Sequence, residues 1–333
     1  MEPASEQIET QNIDKLAAGI IGGDRRVLAR AISLIESTRT NHRLLANALL
    51  SKILSKRSRT LRLGITGVPG VGKSTFIEAL GLHLVDAGHH VAVLAIDPSS
   101  PRSGGAILGD KTRMEELSRH PNAFIRPSPS KGTLGGVARR TRDVMLCIEA
   151  AGFDVLLIET VGVGQSETAV AGLTDMFILL ISPGGGDDLQ GIKRGIVELA
   201  DLIVVNKADG DLATTAERTQ RDYIAALHLM RPSNNAGTTK VVKCSAMKRK
   251  GIVEIWSAVK QFQRTAELDG FLDQNRGNQA IDWMWDEITE TLVVELKSDS
   301  NVLAELQAIE ASVRGEAITP SLAAQKILKL FSK

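Results

Sequence analysis

Residues 67–74 read GVPGVGKS and follow the pattern G-x-x-x-x-G-K-[ST]. That pattern carries chemistry between a strand and a helix, and here it lies between the apolar run LRLGIT and the helical run STFIEALGLHLVDAG. Glycines at 67, 70 and 72 let the backbone curl so that successive N–H groups, with the N-terminus of the following helix, face the oxygens of a nucleotide's phosphates. Gly67, Gly70, Val71, Gly72, Lys73, Ser74 and Thr75 are the candidate phosphate-binding residues. Lys73 is expected to reach the β and γ phosphates, and the Ser74 hydroxyl to bind Mg²⁺.

A second signature, NKAD at residues 206–209, ends the apolar run LIVV. The Asp209 carboxylate can accept two hydrogen bonds, from the N1–H and the amino group of guanine, a donor pair that adenine lacks. Leaving that carboxylate unpaired beside the wrong base costs about 1–3 kcal/mol, so one side chain selects GTP and GDP over adenine nucleotides. Asn206 is expected to brace the loop and Lys207 to lie over the base. CSA, residues 244–246, ends the next apolar run and suits the loop whose backbone, at Ser245 and Ala246, reaches guanine O6. Asp97 ends VAVLAID and Glu159 ends DVLLIE. Two carboxylates at strand ends near a phosphate loop suit Mg²⁺, a hard cation held through one or two acidic groups plus phosphates; Asp110 in GDKTRM is a third candidate ligand.

These residues need elements to position them. The runs LRLGIT, VAVLAID, DVLLIET, MFILLIS, LIVVNKAD and KVVKCSA alternate with longer helical stretches. The alternation predicts an α/β fold, a P-loop G domain over residues 58–265 with a mostly parallel sheet flanked by helices. Upstream, apolar positions recur at helical spacing: Leu28, Ile32 and Ile35, then Leu44, Leu45, Ala48, Leu49, Ile53 and Leu54, a helical N-terminal extension over residues 1–57. Beyond about Thr265 the strand pattern stops, and residues 266–333 read as a helical C-terminal arm. The arm holds the loop-like LDQNRGNQ, the helical AIDWMWDEITETLVVEL, and ITPSLAAQKILKLF. In the last, Thr319 is the expected N-cap and Pro320 the first helical residue, with Ala323, Ile327, Leu330 and Phe331 forming a face that needs a partner surface.

The chain has 333 residues, 43% hydrophobic and 24% charged, an ordinary globular balance. A formal net charge of +1 gives no basic excess to hold a nucleic-acid backbone, so no nucleic acid is expected as partner, and the clusters SKRSR and KRK read as solvated loops. The apolar runs are far shorter than the roughly 20 residues a membrane helix needs, so no membrane span is predicted. MEPASEQIETQNIDK lacks the apolar core of a secretory signal and the Arg-rich pattern of an import sequence, and a cytoplasmic location is expected. Cys147 and Cys244, with no Cys-x-x-Cys, read as two buried reduced thiols.

Six longer stretches carry a resemblance: GITGVPGVGKST, AIDPSSPRSGGAILGDKTRM, AFIRPSPSKGTLGGVARRTRD, ETVGVGQSE, GGGDDLQGIKRGIVELAD and NKAD. Through them the sequence resembles the MeaB/ArgK-like GTPases, within the wider group of metallochaperone-like G proteins. The resemblance runs from the helical prefix to the WMW of the C-terminal arm. Ala106 stands where the family often has Ser in GGSILGD, and Gly185 and Asp188 fall in a segment that often reads PGAGDELQG. The resemblance implies a GTP-hydrolysing chaperone that gates cofactor loading of an adenosylcobalamin-dependent acyl-CoA mutase and protects or reactivates it. Methylmalonyl-CoA mutase is the default partner and a related isobutyryl-type mutase the other. It also implies a homodimer formed largely through the C-terminal arm. A third mobile segment is implied beside the usual two switch loops, at Gly184 through Lys193, with Asp187 and Lys193 responding to nucleotide or partner.

One stretch departs from the common GTPase pattern. ETVGVGQSE opens with Glu159 where many GTPases have Asp, and after Gly162, a candidate nucleotide-binding residue, it has Val163 where many have Gln. Glu159 carries its carboxylate one methylene further toward Mg²⁺ or its water. Val163 cannot orient a water, so hydrolysis by the isolated protein is expected to be slow; Gln165 could substitute only in a rearranged loop. Lys73, Asp97, Glu159, Asp187 and Lys193 are then the catalytic candidates. Two alternatives compete. A nickel or zinc insertion GTPase needs His-rich or Cys-rich segments, whereas the sequence has 6 His, with only His89 and His90 adjacent, and no Cys cluster. A P-loop kinase needs a lid and an acceptor pocket rather than a guanine loop.

Overall fold

The computed structural model describes residues 3–37, 39–97, 114–129, 134–160, 166–184, 194–229 and 239–331. Three helices come first: α1 (Pro3–Ile21), α2 (Arg25–Ile35) and α3 (Thr40–Ile53). The Asp24 carboxylate accepts from the N–H groups of Arg26 and Val27 and so caps α2, whose buried stripe is Leu28, Ala31, Ile32 and Ile35. The stripe of α3 differs from expectation: Ala46, Leu49 and Ile53 are buried while Leu44 is 71% exposed.

The chain then alternates β1 (Leu61–Gly67), α4 (Lys73–Asp86), β2 (Val91–Asp97), α5 (Glu115–Arg119), β3 (Ala123–Pro129), α6 (Leu134–Ala150) and β4 (Val155–Thr160). It continues with α7 (Ser166–Ala171), β5 (Met176–Ile181), α8 (Arg194–Leu199), β6 (Leu202–Val205), α9 (Ala213–Leu229), β7 (Lys240–Lys243) and α10 (Ile252–Leu268). The strands form one sheet in the order β3-β2-β4-β1-β5-β6-β7, and every adjacent pair is parallel. Strands β1, β4, β5 and β6 are buried at every position, which is why they read as continuous apolar runs rather than as alternation. On one face Leu61, Leu63 and Ile65 meet Phe76, Leu80 and Leu84 of α4 and Ile255 and Val259 of α10. On the other, Leu179, Ile181, Ile203 and Val205 meet Val197 of α8 and Ala216 and Tyr223 of α9. Helices α2 and α3 pack on α6.

Two segments differ from the sequence reading. The sequence shows six strands and the sheet has seven, because β3 contains Pro127 and Pro129 and does not look like a strand. It lies at the sheet edge, where missing N–H groups are tolerated. LDQNRGNQ is not a loop but the start of α11 (Phe271–Ser298). Its polar side chains are used for docking. Arg276 donates from Nε to Asp175 Oδ1 at 2.7 Å and from Nη2 to Asp175 Oδ2 at 2.6 Å and Thr60 O at 2.5 Å, and Gln279 Nε2 donates to Thr174 O at 2.8 Å. The basic joint before β1 is equally engaged, with Arg59 Nη2 3.1 Å from Asp273 Oδ1 and Arg57 Nη1 3.7 Å from Glu149 Oε2.

The chain divides into two compact units, Met1–Gln279 and Ala280–Lys333. The second holds the rest of α11 with α12 (Ser300–Arg314) and α13 (Pro320–Phe331). Thr319 Oγ1 accepts from Leu322 N at 3.3 Å, the N-cap expected from the sequence. Among the described residues of this unit Val302, Ile309 and Ala323 are the buried apolar ones. Trp285 at 60% and Leu328 at 55% are among several large apolar side chains it exposes. Among the described residues no helix is long and apolar enough to cross a membrane.

Candidate functional site

Parallel strands end at one edge of the sheet, and the site is assembled there from the ends of β1, β4, β6 and β7. The end of β1 becomes the glycine-rich turn. Gly67 has φ +152°, and a Cβ there would lie 2.5 Å from Leu180 O. Gly72 has φ +93°, and a Cβ there would lie 2.9 Å from Asn206 Nδ2. These two glycines let the turn lie directly against β5 and against the NKAD loop.

Within the turn, Lys73 is nearly buried, and its Nζ donates to Gly67 O at 2.7 Å and Val68 O at 3.3 Å. Its ammonium is thus held inside the concavity where phosphates would lie. The Val71 side chain is fully buried, and its N–H donates to Val68 O at 3.2 Å. Val71 therefore anchors the turn. Ser74 and Thr75 open α4, with the Ser74 Oγ donating to Glu159 Oε1 at 3.2 Å. Glu159 at the end of β4 is buried, and the next residue, Thr160, donates through Oγ1 to Thr66 Oγ1 at 2.8 Å. A hydroxyl and a carboxylate within hydrogen-bonding distance at a helix N-terminus are two hard oxygen donors, and they fit the chemistry of Mg²⁺.

The NKAD loop is tied to the phosphate turn at two points. Asn206, 2% exposed, donates from Nδ2 to Val71 O at 2.9 Å, and its Oδ1 accepts from Ala246 N at 3.1 Å and from the Cys244 thiol at 3.4 Å. One amide thus joins the ends of β1, β6 and β7. Lys207 adopts φ +59°, and its Nζ donates to Gly70 O at 2.7 Å, which lays its stem along the turn. Asp209 faces Lys248, whose Nζ lies 3.5 Å from Asp209 Oδ2. Ser245 Oγ accepts from Lys248 N at 3.2 Å, and the Ala246 N–H is the one directed at Asn206. Burial pushes the Cys244 thiol up to about 12, so it stays protonated and acts as a donor.

Asp97 ends β2, which pairs with β4, and its side chain lies outside the described residues. Asp110, Gly162, Asp187 and Lys193, with Val163 and Gln165, also fall outside them. The structure adds the Lys248 ammonium, the Cys244 thiol and the Thr66–Thr160 pair to the site; the sequence offered Cys244 only as a buried thiol opening the CSA run and Lys248 only as part of KRK. Thr66 sits in an apolar run without a distinguishing pattern. Lys248 belongs to KRK, an exposed turn as the sequence suggested, in which Arg249 Nη2 also lies 2.7 Å from Glu116 Oε2.

The family model described as "Methylmalonyl Co-A mutase-associated GTPase MeaB" matches residues 28–301. A probable GTPase of Mycobacterium tuberculosis is 50% identical over 330 residues, 99% of this chain and 98% of that protein. The mitochondrial methylmalonic aciduria type A homolog of Mus musculus is 46% identical over 333 residues, 97% of this chain and 80% of that protein. GTPase ArgK of Escherichia coli is 47% identical over 298 residues, 90% of each chain. Among solved structures, one described as a LAO/AO transport system kinase superposes with a TM-score of 0.76 at 36% identity, covering 97% of this chain and 98% of that one.

Proposed function

This chain belongs to the MeaB family of P-loop GTPases, and we propose that it serves as a GTP-dependent chaperone for an adenosylcobalamin-dependent acyl-CoA mutase, gating cofactor loading and protecting or reactivating that enzyme. The observation that carries the reading is the Asn206 clamp, which holds a phosphate turn and a carboxylate-bearing base loop side by side in a chain of a mutase-associated family. Methylmalonyl-CoA mutase is the default partner and a related isobutyryl-type mutase the other.

In this reading the Lys73 ammonium exchanges the carbonyls of Gly67 and Val68 for β and γ phosphate oxygens, acceptors of the same kind with more charge. Backbone N–H groups of the turn from Gly67 to Thr75, with Gly162 two residues after β4, would surround the phosphates. Asp209 reads guanine, Lys207 covers the base, and Ser245 and Ala246 border its O6 side. Ser74 and Glu159, with Asp97 and Asp110, would hold Mg²⁺, which supplies charge neutralisation at the phosphates when bound. The Val163 side chain offers no hydrogen-bonding group to an attacking water, so turnover by the isolated chain is slow and a partner completes the site through the segment containing Asp187 and Lys193. The C-terminal unit, with its exposed Ile281, Trp285, Val294, Leu303 and Leu328, is the surface for a homodimer, and the protein works in the cytoplasm.

The test is co-elution of the purified chain with an adenosylcobalamin-dependent acyl-CoA mutase, with GDP and with a non-hydrolysable GTP analogue. A complex whose stability depends on which nucleotide is present is expected. No complex with either nucleotide, from a chain that binds GDP, would remove the chaperone role and leave the GTPase. Release of inorganic phosphate equal to GTP consumed separates hydrolysis from kinase chemistry, which would leave phosphate on an acceptor.

A further inference from the structure

The turn at residues 244–251 contributes more to the base site than the backbone at Ser245 and Ala246. Lys248 places its Nζ 3.5 Å from Asp209 Oδ2. We propose that Lys248 is a positioning residue of the guanine site: it holds the Asp209 carboxylate in the orientation that accepts both donors of guanine, and so strengthens selection of guanine over a base with only one of them. The inference rests on the reading of Asp209 as the guanine acceptor.

The turn that carries Lys248 is closely fixed. Cys244, Ser245 and Ala246 are buried. Ser245 N donates to Lys250 O at 3.0 Å and Lys250 N to Ser245 O at 3.1 Å, which closes the turn, while Lys248 N donates to Ser245 Oγ at 3.2 Å. Gly251 completes it at φ +82°, where a Cβ would lie 2.6 Å from Lys243 O. Between them Arg249 adopts φ +52°, uncommon for a residue other than glycine, and its guanidinium lies 2.7 Å from Glu116 Oε2. Glu116 N in turn donates to Glu78 Oε1 on α4 at 2.9 Å. Adjacent cations of one short turn are each committed to a carboxylate of a different element.

Asp209 stands in the loop after β6, and among the described residues Lys248 is the cation within ion-pair reach of it. A carboxylate offers about four lone-pair positions. The N1–H and amino group of guanine occupy two, so one oxygen can keep the ammonium while both oxygens face the base. The ammonium therefore has no need to leave when nucleotide binds. What it supplies is a fixed carboxylate torsion before the base arrives, which spares binding that ordering cost. A two-point contact requires one orientation and gains most from this; hypoxanthine, with N1–H alone, tolerates a rotated carboxylate and gains less. Lys248 is 52% exposed and Asp209 24%, so the pair is partly screened, and its contribution to affinity is at most about fivefold.

The experiment is calorimetric titration of GDP, inosine diphosphate and ADP into the full chain as wild type, Lys248→Ala, Lys248→Arg, Asp209→Ala and the Asp209→Ala/Lys248→Ala double variant. Lys248→Ala is expected to weaken GDP by about three- to fivefold and inosine diphosphate by less than about twofold, with Lys248→Arg restoring GDP affinity. In the Asp209→Ala background, loss of Lys248 is expected to change nothing. Equal weakening of GDP and inosine diphosphate, or the same loss with Asp209 already absent, overturns the proposal and makes Lys248 a general attractor of polyphosphate. Wild-type binding of ADP as tight as GDP overturns instead the reading of Asp209 on which the proposal stands.

Discussion

At the scale of single residues, the site depends on a few groups that each satisfy several demands. Asn206 uses both ends of one buried amide to join three strand ends, so its value lies in the bonds it closes rather than in contact with a ligand. In the proposed site Asp209 is the residue on which base choice turns. Asp209→Asn is expected to weaken GDP by about tenfold or more and to favour xanthosine diphosphate, whose 2-oxo group matches the new amide, in a competition titration. Unchanged GDP affinity would refute the assignment. Cys244 gives a pH signature. Its thiol is pushed by burial from the ordinary 9.0 to about 12, so the folded state keeps a proton that the unfolded chain gives up in that window. Stability is therefore full below about pH 9 and falls above it until the folded thiol itself ionises. Urea midpoints of wild type and Cys244→Ala across pH 8 to 10 should show a shallower decline in the variant; parallel declines would contradict the buried-thiol account. The phosphate turn and NKAD were legible in the sequence because each needs fixed residue types at fixed spacing. Lys248 was not, because a lysine three residues after a buried serine has no pattern until the turn is folded.

At the scale of elements, legibility followed burial. The fully buried strands announce themselves as apolar runs, whereas β3 is disguised by Pro127 and Pro129 and shows itself only through its pairing with β2. The start of α11 was illegible for the opposite reason: Asn275, Arg276 and Gln279 look like loop residues because their partners, Thr174 and Asp175, are about a hundred positions away. The Asp175 side chain is fully buried, and Arg276 is the guanidinium that compensates it. Arg276→Ala is therefore expected to cost about 3 kcal/mol or more of stability, since it strands a buried carboxylate. These contacts sit at the strand starts, the edge opposite the phosphate turn, so GDP affinity should stay within about twofold of wild type. Thermal unfolding and calorimetry on the same samples check both halves. A large loss of GDP affinity without loss of stability would show that α11 serves the site rather than the fold.

At the scale of the whole molecule, an ordinary composition hides a chain whose proposed nucleotide site lies in one compact unit and whose second unit also exposes large apolar side chains. The homodimer proposal has a direct check. Removing residues 280–333 keeps Arg276 and Gln279 in place, and the shortened chain should remain folded, bind GDP and be monomeric by light scattering, with the full chain dimeric; a monomeric full chain would remove the dimer. In the proposed function GTP hydrolysis by this chain reports on a mutase. Single-turnover hydrolysis of GTP should be slow for the chain alone, markedly faster with an adenosylcobalamin-dependent acyl-CoA mutase, and not accelerated in Lys193→Ala, whose GDP affinity stays near wild type; in other GTPases such partner effects reach on the order of 10³ to 10⁵. Equal acceleration in wild type and Lys193→Ala would remove Lys193 from the mechanism, and the same slow rate with and without the mutase would contradict the coupling itself.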